Sequence, residues 1–295
     1  MATAQRKSKV TTLAEAASLV KDGDTLGIGG QHSHNVPMAL VREIAKRRVR
    51  ALTLVPSASM GIAVDLLIAA GCVRKLHVSY IGLEFVGFAP SFRRACERGE
   101  IEVIEADEPW IVFGLKAAGA GLPFIPVSLI YESTDLPKVN PLLKKTTDPY
   151  TGREVTTIPP LRPDVSIIHA QKCDPWGNAR VLGSVRFEHL MAKASDKVIV
   201  SADEVASPMD PPEDPLTVTV LGPLVNAVVE VPYGAHPTAS PARYNYDEDH
   251  LRRYALMGRE NKMREYLDTF VYGLKDHEEY LEKIGLRRLL SLRLR

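Results

Sequence analysis

The sequence predicts an α/β fold with an open, mostly parallel sheet flanked by helices and a C-terminal helical extension. Short apolar runs alternate with amphipathic helical segments of about ten residues, which is the pattern of βαβ units. The runs ALTLV from Ala51 and VSIIHA from Val165 are apolar throughout, as expected for strands buried on both faces of a parallel sheet. From Asp247 onward the chain is charged and its pattern is helical.

The predicted elements follow in a regular order. Thr12 to Glu15 forms a capping-box pattern that begins the first helix, and Asp22-Gly23 ends it. Further helices are predicted where apolar residues recur at helical spacing, with Pro37 at one helix start and glycines 71 and 121 closing two others. Strands are predicted at residues 25–30, 51–55, 76–81, 101–105, 122–127, 165–170, 197–201 and 224–231, and helices at 38–46, 61–70, 91–98, 110–120 and 187–194.

Two domains of unequal size are expected. Residues 1–240 form the α/β domain and residues 241–295 form the helical extension. Within the first, residues 131–163 are rich in Pro, Thr, Lys and Asp, which indicates a long surface excursion with a hairpin around residues 150–153. A second proline-rich loop is predicted at residues 207–215.

Composition excludes several classes of protein. The chain has 295 residues, is 45% hydrophobic and carries a formal charge of +1, so it can bury a core and has no overall affinity for nucleic acid or an anionic membrane. No apolar run is long enough for a transmembrane helix, and no secretory signal is expected. Cys72, Cys96 and Cys173 are scattered, which argues against a disulfide framework or a structural zinc site and favours the cytoplasm.

The first candidate site is the glycine turn at Gly29-Gly30, between a predicted strand and a helix that begins at Pro37. Glycines allow a ligand to approach the backbone, and free N–H groups at such a turn suit an oxyanion or a carboxylate. A tight turn without a ligand is an equally strong interpretation. The dinucleotide pattern GxGxxG fails because Ser33 stands at its third glycine.

Other patterns are weaker or missing. His32 and His34 form an HxH pair, but no neighbouring ligands complete a metal site, so contact with substrate is the better interpretation. The chain lacks the GxSxG pattern of serine hydrolases and a Walker A sequence. Glu84 follows a predicted strand, where it could line a site. Glu108 also follows a strand, and its alternative role is to complement a helix dipole.

The segment from Asp22 to Pro37 resembles the small-subunit motif of the family I CoA-transferases. Asp22-Gly23, Gly29-Gly30 and Pro37 are in register, whereas Gly27, Gln31 and Asn35 depart from the motif. Asn35 replaces a glycine, but asparagine also tolerates positive φ. Other stretches between about residues 10 and 250 resemble the A subunits of glutaconate CoA-transferase-type enzymes; they include segments 67–73, 80–84, 89–95, 121–126, 148–152, 162–171, 174–178 and 228–237.

This resemblance implies an A subunit that pairs with a homologous B subunit, as αβ or α₂β₂, to transfer CoA between carboxylic acids. A glutamate of the B subunit would form acyl-glutamyl anhydride and glutamyl-CoA intermediates, with CoA thioesters as substrates and no tightly bound cofactor or metal. In this chain Gly29, Gly30 and Gln31 would supply backbone donors to the oxyanion, while His32, His34, Asn35 and Glu84 would contact substrate. Gly30→Ala would then impair turnover more than folding.

Two alternatives remain. A related branch of the family resembles hydrolases that open a CoA-linked, steroid-derived ring, and there an acid at the position of Glu108 would act. That branch has paired basic residues where this chain has His34 and Asn35, so the two indications conflict. The other alternative is a sensor domain that binds a sugar or nucleotide without catalysis. No basic helix-turn-helix pattern supports it.

Overall fold

The computed structural model describes residues 7–127, 131, 133–184, 187–206 and 218–294, and its core is a parallel sheet. The loop predicted at 207–215 lies outside these residues. The strands are β1 Thr25–Ile28, β2 Leu52–Pro56, β3 Ser59–Met60, β4 Val73–Val78, β5 Tyr80–Ile81, β6 Glu102–Glu105, β7 Ile125–Val127, β8 Lys144–Thr147, β9 Glu154–Ile158, β10 Val165–Ala170, β11 Lys172–Cys173, β12 Ala179–Arg180, β13 Lys197–Ala202 and β14 Ala227–Glu230.

Helices cover this sheet and continue to the C-terminus. They are α1 Leu13–Ala17, α2 Met38–Lys46, α3 Ile62–Ala69, α4 Pro90–Glu97, α5 Glu108–Gly119, α6 Leu136–Val139, α7 Glu188–Ala194, α8 Glu248–Arg259, α9 Met263–Leu267, α10 His277–Ile284 and α11 Leu286–Leu292. A π-helical turn, Asp268–Tyr272, extends α9. Every helix within the described residues is too short or too polar to cross a membrane.

The main sheet has the order β14-β13-β10-β1-β2-β4-β6, and every neighbouring pair in it is parallel. From β1 the chain adds β2, β4 and β6 on one side, then returns to add β10, β13 and β14 on the other. The direction of winding therefore reverses between β1 and β10. Strand β10 is buried along its whole length, as its apolar sequence predicts. The α/β fold class predicted from the sequence is confirmed.

The excursion predicted at 131–163 has structure of its own. Strands β7, β9 and β8 form a separate antiparallel sheet, and β8 and β9 make a hairpin closed by a 2.8 Å bond from the Asp148 N–H to the Arg153 carbonyl. The predicted hairpin is thus confirmed. Asn140 is fully buried and donates through Nδ2 to the Glu105 carbonyl at 2.8 Å, which ties the excursion to the end of β6.

The C-terminal helices share a core with the first helices of the chain. Tyr254, Tyr266 and Tyr280 are almost completely buried in one cluster with Leu40 of α2 and Val64 of α3. The helical extension therefore packs into the α/β core instead of standing apart from it. The boundary at residue 240 remains a sequence prediction.

This shared core makes the fold sensitive to acid. His250 is 6% exposed, its Nε2 lies 2.8 Å from the Tyr266 hydroxyl, and burial lowers its pKa from 6.5 to about 3. The unfolded chain binds this proton below about pH 6.5 and the folded chain does not, so stability falls as pH drops toward 3. Between pH 7 and 5 we expect His250 to contribute a loss of about 2 kcal/mol.

Urea unfolding of the wild type and His250→Gln at pH 7 and pH 5 would measure that loss. Glutamine can still bond to Tyr266 but does not titrate in this range. The variant should therefore lose less stability between the two pH values than the wild type. Equal losses in the two proteins would contradict the prediction.

Candidate active site

The loops that follow β1, β2 and β4 meet at the carboxyl edge of the sheet. Residues 29–35 follow β1, residues 57–61 follow β2, and residues 79–84 follow β4. The His32 N–H donates to the Ser59 carbonyl at 2.8 Å, which joins the first loop to the second. Open α/β sheets bind ligands at this edge, where the winding reverses. The topology therefore indicates the loop after β1, where the winding reverses between β1 and β10, as the candidate site.

The turn in this loop needs a glycine at position 30. Gly30 has a φ of +89°, in the region that L side chains rarely adopt. A Cβ there would lie 2.7 Å from the carbonyl carbon and oxygen of Asn35 and 2.8 Å from the carbonyl oxygen of His34. The backbone of the loop thus folds tightly over Gly30.

The N–H groups of the turn already have acceptors inside the chain. The Gly29 N–H donates to a β10 carbonyl at 2.9 Å, and the Gln31 N–H donates to a carbonyl of the same loop at 2.9 Å. The Gly30 N–H donates to Oε1 of Glu188 at 3.0 Å. From the sequence, these donors were expected to be free. The structure differs because the loop curls back on itself and onto α7.

Glu188 is a residue near the site that sequence reasoning missed. It is 1% exposed, and its Oε2 also accepts the Phe187 N–H at 3.2 Å. A Cβ on Gly29 would lie 3.6 Å from its Cγ. A single glutamate at a helix start is typical of a complement to the helix dipole, so no local signal identifies it.

Asn35 holds the other end of the loop through its side chain. Its φ is +55°, so asparagine does adopt the left-handed conformation expected from the sequence. Its Nδ2 donates to the Leu182 carbonyl at 2.8 Å, and its Oδ1 accepts from Gln171 Nε2 at 2.7 Å. Gln171 also donates to Ser240 Oγ at 2.8 Å. Asn35 is fully buried, and these bonds give its amide a structural role.

His32, Ser33 and Glu84 form the polar cluster that reaches the surface. Glu84 Oε1 lies 3.0 Å from His32 Nδ1, and Glu84 Oε2 accepts a hydrogen bond from Ser33 Oγ at 3.0 Å. The side chains of His32 and Glu84 are 35% and 29% exposed. The Tyr80 ring meets the imidazole edge to face, with ring centroids 6.0 Å apart. One carboxylate therefore contacts two neighbouring residues of the loop after β1.

This cluster combines backbone strain with unsatisfied polar atoms. His32 and Glu84 have φ values of +52° and +50°, and such conformations in residues other than glycine concentrate at functional sites. Gln31 Oε1 is buried without a hydrogen-bond partner among the described residues. His32 Nδ1 is within ion-pair distance of Glu84 but is not aligned for a hydrogen bond. Unsatisfied buried polar atoms of this kind are uncommon in native proteins.

His34 and Glu108 are placed differently. The His34 N–H closes the loop by donating to the Gln31 carbonyl at 2.9 Å, and its side chain is partly buried. Glu108 is exposed at the start of α5, after β6. Since β6 is three strands from β1, the ends of these two strands are about 14 Å apart along the sheet edge. Within the described residues no group of three His, Cys, Asp or Glu side chains could hold a metal ion.

Comparison with known proteins agrees with this architecture. The chain is 34% identical to the A subunit of glutaconate CoA-transferase from Acidaminococcus fermentans, over 97% of this chain and 95% of that protein. The crystal structure of the Acidaminococcus enzyme superposes with a TM-score of 0.92 at 31% identity, over 98% of this chain and 96% of that one.

Two other relatives extend the comparison. One subunit of the cholesterol ring-cleaving hydrolase of Rhodococcus jostii is 33% identical over 92% of this chain and 94% of that protein. A protein of Archaeoglobus fulgidus is 37% identical over 97% of this chain, which spans 66% of that longer protein. Residues 10–231 match the coenzyme A transferase pattern, and with these similarities the chain belongs to the coenzyme A transferase family.

Proposed function

We propose that this chain is the A subunit of a heteromeric CoA-transferase that moves CoA between two carboxylic acids. The observation that carries the proposal is the loop after β1. It lies where the winding of the sheet reverses, has left-handed residues at 30, 32 and 35, and holds two buried polar atoms that have no hydrogen-bond partner in the described part of the chain. The similarity to the A subunit of glutaconate CoA-transferase, which extends over 97% of this chain, supports the same function.

The catalytic glutamate is proposed to come from a homologous B subunit, in an αβ or α₂β₂ assembly. Its carboxylate would attack the thioester carbon, and the C–S bond would break to release CoA thiolate and leave an acyl-glutamyl anhydride. The thiolate would then attack the glutamyl carbonyl, releasing the first acid and forming glutamyl-CoA. An incoming carboxylate reverses these steps, so no net proton is consumed.

In this proposal the chain forms part of the site around the partner glutamate and the acyl-CoA. Gly29, Gly30 and Asn35 fix the shape of the loop, and Gln31, His32, His34 and Glu84 are the proposed contacts to the acyl-CoA. The CoA thioester is a substrate, and no tightly bound cofactor is proposed. The scattered cysteines support a cytoplasmic location.

The test uses this chain purified together with the product of an adjacent homologous gene. The complex is incubated with acetyl-, succinyl- and glutaryl-CoA, with and without acetate or succinate, and acyl-CoA exchange and free thiol are followed separately. Exchange that requires the acceptor, without net thiol release, is the expected result. The single chain should be inactive, and its turnover alone would contradict the assignment of the nucleophile to the partner.

A second candidate function is ring-opening hydrolysis of a C–C bond in a cyclic acyl-CoA, with Glu108 as the acting acid. It is favoured by the exposed position of Glu108 at the carboxyl edge of the sheet and by the similarity to the ring-cleaving hydrolase. Consumption of a cyclic acyl-CoA, added to the same complex without any acceptor, would support it.

Glu108→Ala separates the two functions. For the transferase we expect exchange to stay within about threefold of the wild type, because Glu108 follows β6, three strands away from β1 and the loop after it. For the hydrolase we expect a fall of about 100-fold or more, as when a general acid or base is lost. Asp135→Ala is a suitable control, since it removes an exposed carboxylate of the excursion whose ion pair is with Lys138.

A further inference from the structure

We propose that the imidazole of His32, positioned by Glu84, is the group of this chain that donates a hydrogen bond to the oxyanion of the reacting thioester. The proposal rests on the proposed function, and it replaces the backbone donors that the resemblance implies. The replacement is needed because the N–H groups of Gly29, Gly30 and Gln31 are each bonded inside the chain. Using any of them for substrate would first break one of those bonds.

His32 is the residue of the same loop with a side chain suited to this task. It follows the turn directly, and its side chain is 35% exposed at the carboxyl edge. The Glu84 carboxylate lies 3.0 Å from Nδ1, within ion-pair distance, so this edge of the ring faces Glu84. Nε2 lies on the other side of the ring, and within the described residues it has no hydrogen bond. It is therefore the nitrogen left for a ligand.

Glu84 acts through His32 as a positioning residue. Its other oxygen accepts from Ser33 Oγ at 3.0 Å, so the carboxylate is held from two sides. It is also the first residue of a short 3₁₀ turn, Glu84–Val86, and its φ of +50° fixes the direction of the side chain. His32 and Glu84 both have left-handed φ values. Backbone strain of this kind is expected where two loops hold an imidazole and a carboxylate in place for a ligand.

The chemistry at this position is electrostatic. When the glutamate oxygen of the partner bonds to the thioester carbon, the carbonyl π pair moves to the oxygen. The Nε2–H of His32 then donates to that negative oxygen and keeps its proton. Collapse restores the carbonyl and releases thiolate with the C–S pair. A donor that meets only the developing charge lowers the barrier without tightening substrate binding.

The test compares variants of the chain in the complex with its partner subunit. We expect His32→Ala to lower kcat about 100-fold with KM nearly unchanged, because the contact forms in the transition state. His32→Gln keeps a neutral donor and should recover part of this loss. Glu84→Gln should lower kcat about 10-fold, and adding it to His32→Ala should cause no further loss, because Glu84 acts through His32.

His189→Gln and Glu248→Gln are matched controls. His189 is an exposed histidine of α7, and Glu248 makes an exposed ion pair with Arg252 on α8. Both should retain wild-type kcat. A kcat for His32→Ala within threefold of the wild type would overturn the proposal, and so would independent, multiplicative effects of the His32 and Glu84 variants.

The result with the wild-type complex distinguishes failure of the proposed function from failure of the His32 proposal. If the wild type releases free thiol from an acyl-CoA without an acceptor, the transferase assignment fails, while the same variants still test His32 because thioester hydrolysis also forms an oxyanion. If neither reaction occurs, the ¹⁵N resonances of the His32 ring decide, measured with trifluoromethyl ketone analogues of acetyl-CoA and succinyl-CoA, which form a tetrahedral alkoxide in place of the oxyanion. A shift of Nε2 that Glu84→Gln weakens supports the proposal, and an unchanged resonance overturns it.

Discussion

Gly30→Ala is expected to destabilise the protein and also to abolish turnover of the complex. The substitution places a Cβ 2.7 Å from the Asn35 backbone and 2.8 Å from the His34 carbonyl oxygen. Real Cβ atoms do not approach backbone that closely, so the loop has to open. Opening it also breaks the bond between the Gly30 N–H and Glu188 and moves His32. We expect a loss of unfolding free energy above the roughly 1–3 kcal/mol that a left-handed alanine alone costs.

Gly23→Ala provides the matched control. Gly23 has a φ of +84°, close to that of Gly30, but a Cβ there meets no atom within 4 Å. It therefore carries the conformational cost alone and should leave turnover intact. Urea unfolding and exchange assays of both variants measure the difference. Equal unfolding free energies of Gly30→Ala and Gly23→Ala would show that the close contact with Asn35 causes no additional destabilisation.

This expectation differs from the one drawn from the sequence alone. From the sequence, a Cβ at Gly30 intrudes on a substrate oxyanion and spares the fold. In the structure the Cβ meets the backbone of the same loop, because Asn35 folds over the turn. The pattern Gly29-Gly30 identifies the need for glycine, but the contacting atom comes from a residue whose path depends on tertiary bonds to Leu182 and Gln171.

The parallel sheet was predictable for a local reason. Each strand is an apolar run, each crossover carries a helical pattern, and these signals lie within short segments such as 51–55 and 165–170. The order of the strands does not follow from such segments. It depends on where β10 pairs after the excursion, and only the pairing of β10 with β1 creates the reversal beside the loop after β1.

The polar contacts of the site were less predictable. Glu84 could be named as a residue after a strand, but its contact with His32 joins positions 52 residues apart in the chain. Glu188 and Gly30, which are also in contact, are 158 residues apart in the chain. Contacts of this kind have no periodicity or spacing in the sequence, so a single chain without its fold cannot reveal them.

Asp247→Ala is expected to cause a large loss of stability outside the site, because Asp247 joins the helical extension to the core. The side chain is 3% exposed, lies 3.0 Å from His236 Nε2 and accepts bonds from Arg288 at 2.6 and 3.1 Å. It also caps α8 by accepting the His250 N–H at 3.0 Å. Burial raises the pKa of Asp247, but these donors outweigh burial and leave the pKa well below its usual value.

Removing this carboxylate leaves the buried His236 Nε2 without its acceptor, and breaking a buried pair of this kind costs about 3–5 kcal/mol. Arg288 loses one of its two carboxylate partners and keeps the exposed Asp249, at 2.8 Å. Asp276→Ala is the control, because Asp276 caps α10 through the Glu279 N–H at 3.0 Å but its side chain is 43% exposed. Loss of that cap alone costs about 1 kcal/mol. Urea unfolding of the two variants should therefore separate them by about 2 kcal/mol or more. Equal losses would mean that Asp247 contributes only its helix cap, and that apolar packing around Tyr254, Tyr266 and Tyr280 is what holds the extension to the core.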